Sequence, residues 1–250
     1  MTNRKVEEID LENMDPAMTL QSVLLMMLSV IVGVLIAGML LPSWLPGLSS
    51  SLFGPEPKAY WYLSRGSALV SYAILWFSMA LGLMITNKMA RMWPGGPVAF
   101  DLHQHTSLLG LAFALFHALI LIGDKFINYT LPQILVPFGS LSFHPVWVAL
   151  GQIGFYMWVI VAFSFYVRGQ MGTRAWRLVH FGSYIVFGLV LVHGLFSGTD
   201  AGTLWARGLY WFTGGSVLFL TVYRFFISIL DKPRKAKPKP RPRPQQVKQI

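Results

Sequence analysis

The sequence predicts an all-α membrane protein, a six-transmembrane-helix bundle, and three observations carry the prediction. Only 12% of the 250 residues are charged while 54% are hydrophobic, against about a quarter charged in a soluble domain. The apolar residues run continuously instead of alternating, which favours helices over a barrel. Six runs reach the roughly 20 residues that a helix needs to cross the hydrocarbon core.

The elements follow in chain order. Residues 1–17 form a mixed-charge leader with Arg4, Lys5 and Asp15. Met18–Leu41 is the first span, too long for a cleaved signal peptide and preceded by the wrong charges. Segment 42–62, with Pro42, Pro46, Pro55, Pro57 and a run of serines, is an irregular loop. Ser64–Thr86 and His103–Gly123 are the second and third spans. Segment 124–144 is mostly apolar and longer than a turn, so it is expected to lie on the membrane surface or partly re-enter. Pro145–Val167, Arg174–Phe196 and Leu204–Leu230 complete a transmembrane domain over residues 18–230. Residues 231–250 alternate proline with basic residues and read as a disordered or polyproline-like cytoplasmic tail.

Charge sets the orientation. One side would hold Arg4, Lys5, Lys88, Arg91, Arg168, Arg174, Arg177 and the tail from Lys232 to Lys248. The other has Lys58, Lys125 and Arg207 in its loops, with Arg65 entering the second span. The positive-inside rule then makes both termini cytoplasmic, and the expected location is integral to a membrane, a bacterial inner (plasma) membrane. Tyr60, Trp61, Tyr62, Trp205, Tyr210 and Trp211 suit interfacial belts. Eight of the 20 basic residues lie in the last 19 positions, so the net charge of +10 points to anionic lipid and to orientation, not to nucleic acid.

There is no cysteine, which excludes disulfides, thiolate-held iron–sulfur clusters and covalent c-type haem. Redox or metal chemistry must then use histidine, carboxylate or methionine, and the histidines form the pattern: His103, His105, His117, His144, His180 and His193. His103 and His117 are 14 residues apart on the third span, so they share nearly one helix face with a rise of about 21 Å. His180 and His193, 13 apart on the parallel fifth span, should stand level with them. Two such pairs would hold two haems, one toward each side of the membrane. The 13-residue spacing turns the second histidine off the first one's face, and Gly182, Gly188 and Gly194 offer places for a compensating distortion. Gly110, midway between His103 and His117, leaves room for a macrocycle edge or for close packing. Phe187, seven after His180, is a candidate to sit between the haems. His105 is the alternative to His103, and His144 reads as interfacial. Arg174 and Arg177 suit the propionates of the cytoplasmic-side haem; Arg65, Lys125 and Arg207 are weaker candidates for the other.

The stretches DLHQHTSLLGLAFALFHALILIGDKF and WRLVHFGSYIVFGLVLVHGLF, supported by RGSALVSYAILWFSMALGL in the second span, resemble the ferric reductase-like transmembrane domain family. That family includes ferric reductases, the NADPH oxidase membrane domain and the haem-binding subunit of periplasmic methionine sulfoxide reductase systems. The resemblance implies six helices, with His103, His117, His180 and His193 as axial ligands of haem b. It also implies electron transfer across the membrane, in an oxidoreductase system. Oxidase-type members continue into flavin and nicotinamide domains, but no GxGxxG stands in this chain. A separate reductase or quinol is therefore the expected electron donor, and an outer-side acceptor or partner protein the destination. The competing expectations are a haem-free structural subunit and a transporter. The latter is weakened because no Asp or Glu lies within a span and Asp101 only at an edge.

Overall fold

The computed structural model describes residues 16–44, 47, 50, 51, 54 and 58–230. The predicted leader, apart from its last two residues, and the predicted tail lie outside the described residues, as does much of segment 42–62. Among the described residues the chain is helical and has no strand. The long helices are α1 (Leu20–Trp44), α2 (Ala59–Thr86), α3 (Gly96–Ile120), α5 (Pro145–Ser164), α7 (Thr173–Ser197) and α8 (Leu204–Leu230). Two short helices, α4 (Leu131–Leu135) and α6 (Arg168–Met171), lie in the connections.

Five of these, α2, α3 with its 3-10 continuation to Gly123, α5, α7 and α8, are long and apolar enough to cross a membrane. In α1 the apolar stretch found among the described residues is shorter, Leu20–Gly33. At 1.5 Å per residue that is roughly 21 Å, less than the ~30 Å core.

Helix starts differ from the sequence expectation for identifiable reasons. α2 begins at Ala59 and takes in Tyr60, Trp61 and Tyr62, because the aromatic interface residues are themselves helical. α3 begins at Gly96, seven residues before His103. Gly95 turns the chain at φ 106° and Pro97 occupies the first turn, where a missing N–H costs nothing.

The helices form two antiparallel hairpins, α2–α3 and α5–α7, with α8 against α2. Tyr72, Leu75, Leu111, Trp158, Val186 and Phe187 are buried in one shared core where the hairpins meet. Much of the opposite surface is apolar: Leu218, Phe219, Phe225 and Phe226 of α8 are all exposed. Lipid accepts such a surface, and with no water to drive helices together their contacts rest on small residues and interhelical hydrogen bonds.

Segment 124–144 folds back on the bundle. The Asp124 carboxylate accepts from the N–H groups of Phe126 and Ile127 at 2.8 and 3.0 Å. Thr130 and Gln133 form a capping box on α4. Gln152 of α5 donates to the carbonyls of Gln133 and Ile134, both at 2.7 Å. Tyr129 and Ile134 are buried as a result.

Candidate functional site

The site starts from a stripe of serines on α2. Ser64, Ser71 and Ser78 recur every seven residues, two helical turns, and so lie on one face. They meet His117, Gly110 and His103, spaced by seven in the opposite direction on α3. Ser71 Oγ donates to the Gly110 carbonyl at 2.8 Å. His103 Nδ1 lies 2.8 Å from the Ser78 carbonyl and 3.1 Å from its hydroxyl. His117 Nδ1 lies 2.9 Å from the Ser64 carbonyl and 2.9 Å from its hydroxyl. A carbonyl only accepts, so Nδ1 carries the proton in both rings and the Nε2 lone pair is left for another partner.

His193 of α7 is held in the same way by α5. Its Nδ1 donates to the Trp147 carbonyl at 2.9 Å. The ring passes so close over Gly151 that a Cβ there would stand 2.6 Å from Nδ1. Gly82 of α2 gives His103 similar but looser clearance, 3.1 Å to Cε1. His180 is set differently, by the Trp176 ring one turn earlier on α7, 5.4 Å between centroids.

Across the gap between the hairpins the rings meet in two pairs. His103 and His180 have centroids 6.0 Å apart with an interplanar angle of 74°. His117 and His193 are 6.3 Å apart at 66°. Each pair faces a cavity. That of His103 and His180 is about 570 Å³ and is also lined by Gln104, Trp176 and Arg177. That of His117 and His193 is about 250 Å³, lined also by Arg65, Ser197 and Asp200, with Ile127, Tyr129 and Gln133 of the 124–144 segment as its roof. Pockets for small molecules commonly hold about 300–1,000 Å³, so the first is ample and the second tight.

No family model matches the chain, and comparison with curated proteins and with solved structures returns no match. The arrangement therefore has to be read from its own chemistry.

Several predicted residues stand elsewhere than expected. Phe187 is buried and stacked on Tyr72 at 6.1 Å, and it is not among the residues lining either cavity. The aromatic side chain that lines both is Trp158 of α5. Gly110 takes the second of its two expected roles, close packing: a Cβ there would stand 2.8 Å from Trp158 Cη2. The distortion expected near Gly182, Gly188 and Gly194 is not present, for α7 is α-helical from Thr173 to Ser197. Glycine on the neighbouring helix, Gly151, accommodates His193 instead. Arg174 is exposed and outside the cavity lining, whereas Arg177 is part of it. His105 is exposed, bonded to the Asp101 carbonyl at 2.8 Å, and lines neither cavity. His144 caps α5 at φ 40° against the Phe143 ring. Arg65 binds the Asp200 carboxylate, Nε to Oδ2 at 2.9 Å, and covers the Trp61 ring at 4.1 Å.

Sequence reasoning missed Ser64, Ser71, Ser78, Trp147, Gly151 and Trp158. The serines had a signal, since their spacing on α2 repeats that of His103, Gly110 and His117 on α3. Trp147, Gly151 and Trp158 had none, because α5 carries no histidine to anchor its register.

Proposed function

We propose that the chain is a b-type membrane cytochrome subunit that binds two haems and carries electrons across the bilayer. The observation that carries the reading is the pair of ring separations, 6.0 and 6.3 Å. Two imidazoles bound on opposite sides of one iron, with metal–nitrogen bonds of about 2.0 Å, have ring centres about 6.3 Å apart. Among the described residues no group of three or more His, Cys, Asp or Glu could hold a metal ion. Two protein ligands do not complete the coordination of a bare ion, but they suit iron that brings its own equatorial ring.

When bound, haem supplies one-electron chemistry. The residues of the chain do the rest. The carbonyls of Ser78, Ser64 and Trp147 accept from the Nδ1–H groups of His103, His117 and His193 and so leave each Nε2 with a lone pair, the usual outer-shell role toward a metal-bound histidine. The α2–α3 register sets the separation of the two sites. Trp158 fills the space between them, and the apolar core around Leu75, Leu111 and Val186 excludes water.

The reading retains six spans, with α1 the first, and a bacterial inner membrane as the setting; both termini are placed in the cytoplasm on the Lys and Arg asymmetry. His103 and His180 would hold the haem nearer a donor, a separate reductase or a quinol, and His117 and His193 the haem nearer an outer-side acceptor. This matches the ferric reductase-like resemblance of the two histidine-bearing stretches. The test is purification in mild detergent followed by dithionite reduction. A b-type α band with about two haems per chain is expected, and His117→Ala or His193→Ala should remove one of them. Protein without a b-type band overturns the reading.

A further inference from the structure

Four buried side-chain polar atoms among the described residues lack a hydrogen-bond partner, and three of them line the two cavities. Gln104 Nε2 and Trp176 Nε1 belong to the His103/His180 cavity, Ser197 Oγ to the other. Buried donors without partners are uncommon, and each asks what it binds. Gln104 is not misoriented: its Oε1 accepts from the Ala17 N–H at 3.0 Å, which leaves the amide nitrogen as the free end. The Trp176 indole is held by ring contacts with His180 at 5.4 Å and Phe165 at 6.1 Å, and its nitrogen can only donate.

Both free atoms are therefore donors that call for an acceptor. The same cavity is lined by Lys88, Arg91, Arg177 and Arg224 and by no Asp or Glu, so the acceptor is an anion. The two donors also flank the histidine pair, Gln104 next to His103 and Trp176 one turn before His180. The other cavity differs, because an acid, Asp200, stands in its lining and binds Arg65.

We infer that Gln104 and Trp176 are the carboxylate-binding residues of the His103/His180 cavity, receiving the propionates of the haem there. The inference rests on the haem reading above and adds to it the neutral half of the propionate site, beside Arg177. A hydrogen bond to a charged acceptor is among the stronger kinds, and losing one weakens affinity by about tenfold or more.

The test uses the full chain, stripped of haem and titrated in neutral detergent with haem or with haem dimethyl ester, which lacks the carboxylate charge. Uptake at each site is followed by absorbance and by midpoint potential. Gln104→Leu and Trp176→Phe are expected to weaken haem uptake at the His103/His180 site by about tenfold or more. They should leave uptake of the ester, and haem at the other site, unchanged. Gln104→Glu should weaken haem further by like-charge repulsion while still accepting the ester. Equal losses for haem and ester would make the two residues mere cavity walls, and unchanged haem affinity would leave them no role; either overturns the inference alone. A wild-type chain that takes up neither compound overturns the haem reading itself. The second site, loaded in the same molecule, reports whether a variant has folded.

Discussion

Replacing Gly151 by alanine puts a methyl group into the ring of His193. The added Cβ would lie 2.6 Å from Nδ1, 2.7 Å from Cγ and 2.8 Å from Cε1, where ordinary contact begins at 3.4 Å. Going from 2.6 to 3.4 Å, the ring must retreat by about 0.8 Å or the α5–α7 hairpin must open by as much. The first course pulls Nδ1 from the Trp147 carbonyl, now 2.9 Å away, past the range of a useful hydrogen bond. The second widens the 6.3 Å gap to His117. Overpacking of this kind costs about 1–3 kcal/mol, concentrated at one site. Redox titration of the purified variant, monitored at the α band, should show one of two components lost or shifted, with the other unmoved. Gly82→Ala is the graded comparison, because its Cβ would meet His103 at 3.1 Å and ask for a few tenths of an ångström only. Two unshifted components in Gly151→Ala would refute the reasoning, and so would equal loss of both.

Ser64→Ala and Ser78→Ala keep the carbonyl bond to Nδ1 and delete the hydroxyl contact. Each should shift the midpoint potential of its own site, measured by potentiometric titration, and leave haem content intact. Gly110→Ala drives a methyl to 2.8 Å from Trp158 and should lower stability by about 1–3 kcal/mol, read by thermal unfolding in detergent. Asp200→Asn breaks an ion pair whose side chains are 31% and 20% exposed. Its cost should be about 1 kcal/mol or less and should shrink at high salt, as expected where solvent screens the charges.

The helices and the level of the histidines were legible because both depend on local periodicity. A 14-residue spacing means nearly one face and about 21 Å on any straight α-helix. What stayed hidden depends on how helices face one another. Phe187 stands at a plausible interval from His180, yet the rotation of α7 carries it against Tyr72, while Trp158 arrives from a helix with no marker residue. The 13-residue spacing looked like a defect of α7 itself. In the bundle α7 stays α-helical and Gly151 of α5 leaves room for the His193 ring, and interface geometry does not show in a single helix's sequence. The two unpaired donors of the His103/His180 cavity were hidden for a like reason, since the unpaired state of Gln104 Nε2 and Trp176 Nε1 is a property of packing.

The seven-residue stripe on α2 also limits how this fold can vary. Ser64, Ser71 and Ser78 present the same chemistry at equal steps, so the two helices mesh like a rack with teeth about 10.5 Å apart. The distance between the two sites is therefore quantised. A single-residue insertion between His103 and His117 would turn one ring by about 100° and strand its Nδ1 proton, whereas a seven-residue block in both helices would keep each ring against its own serine. Lengthening of the bundle should tolerate whole teeth only.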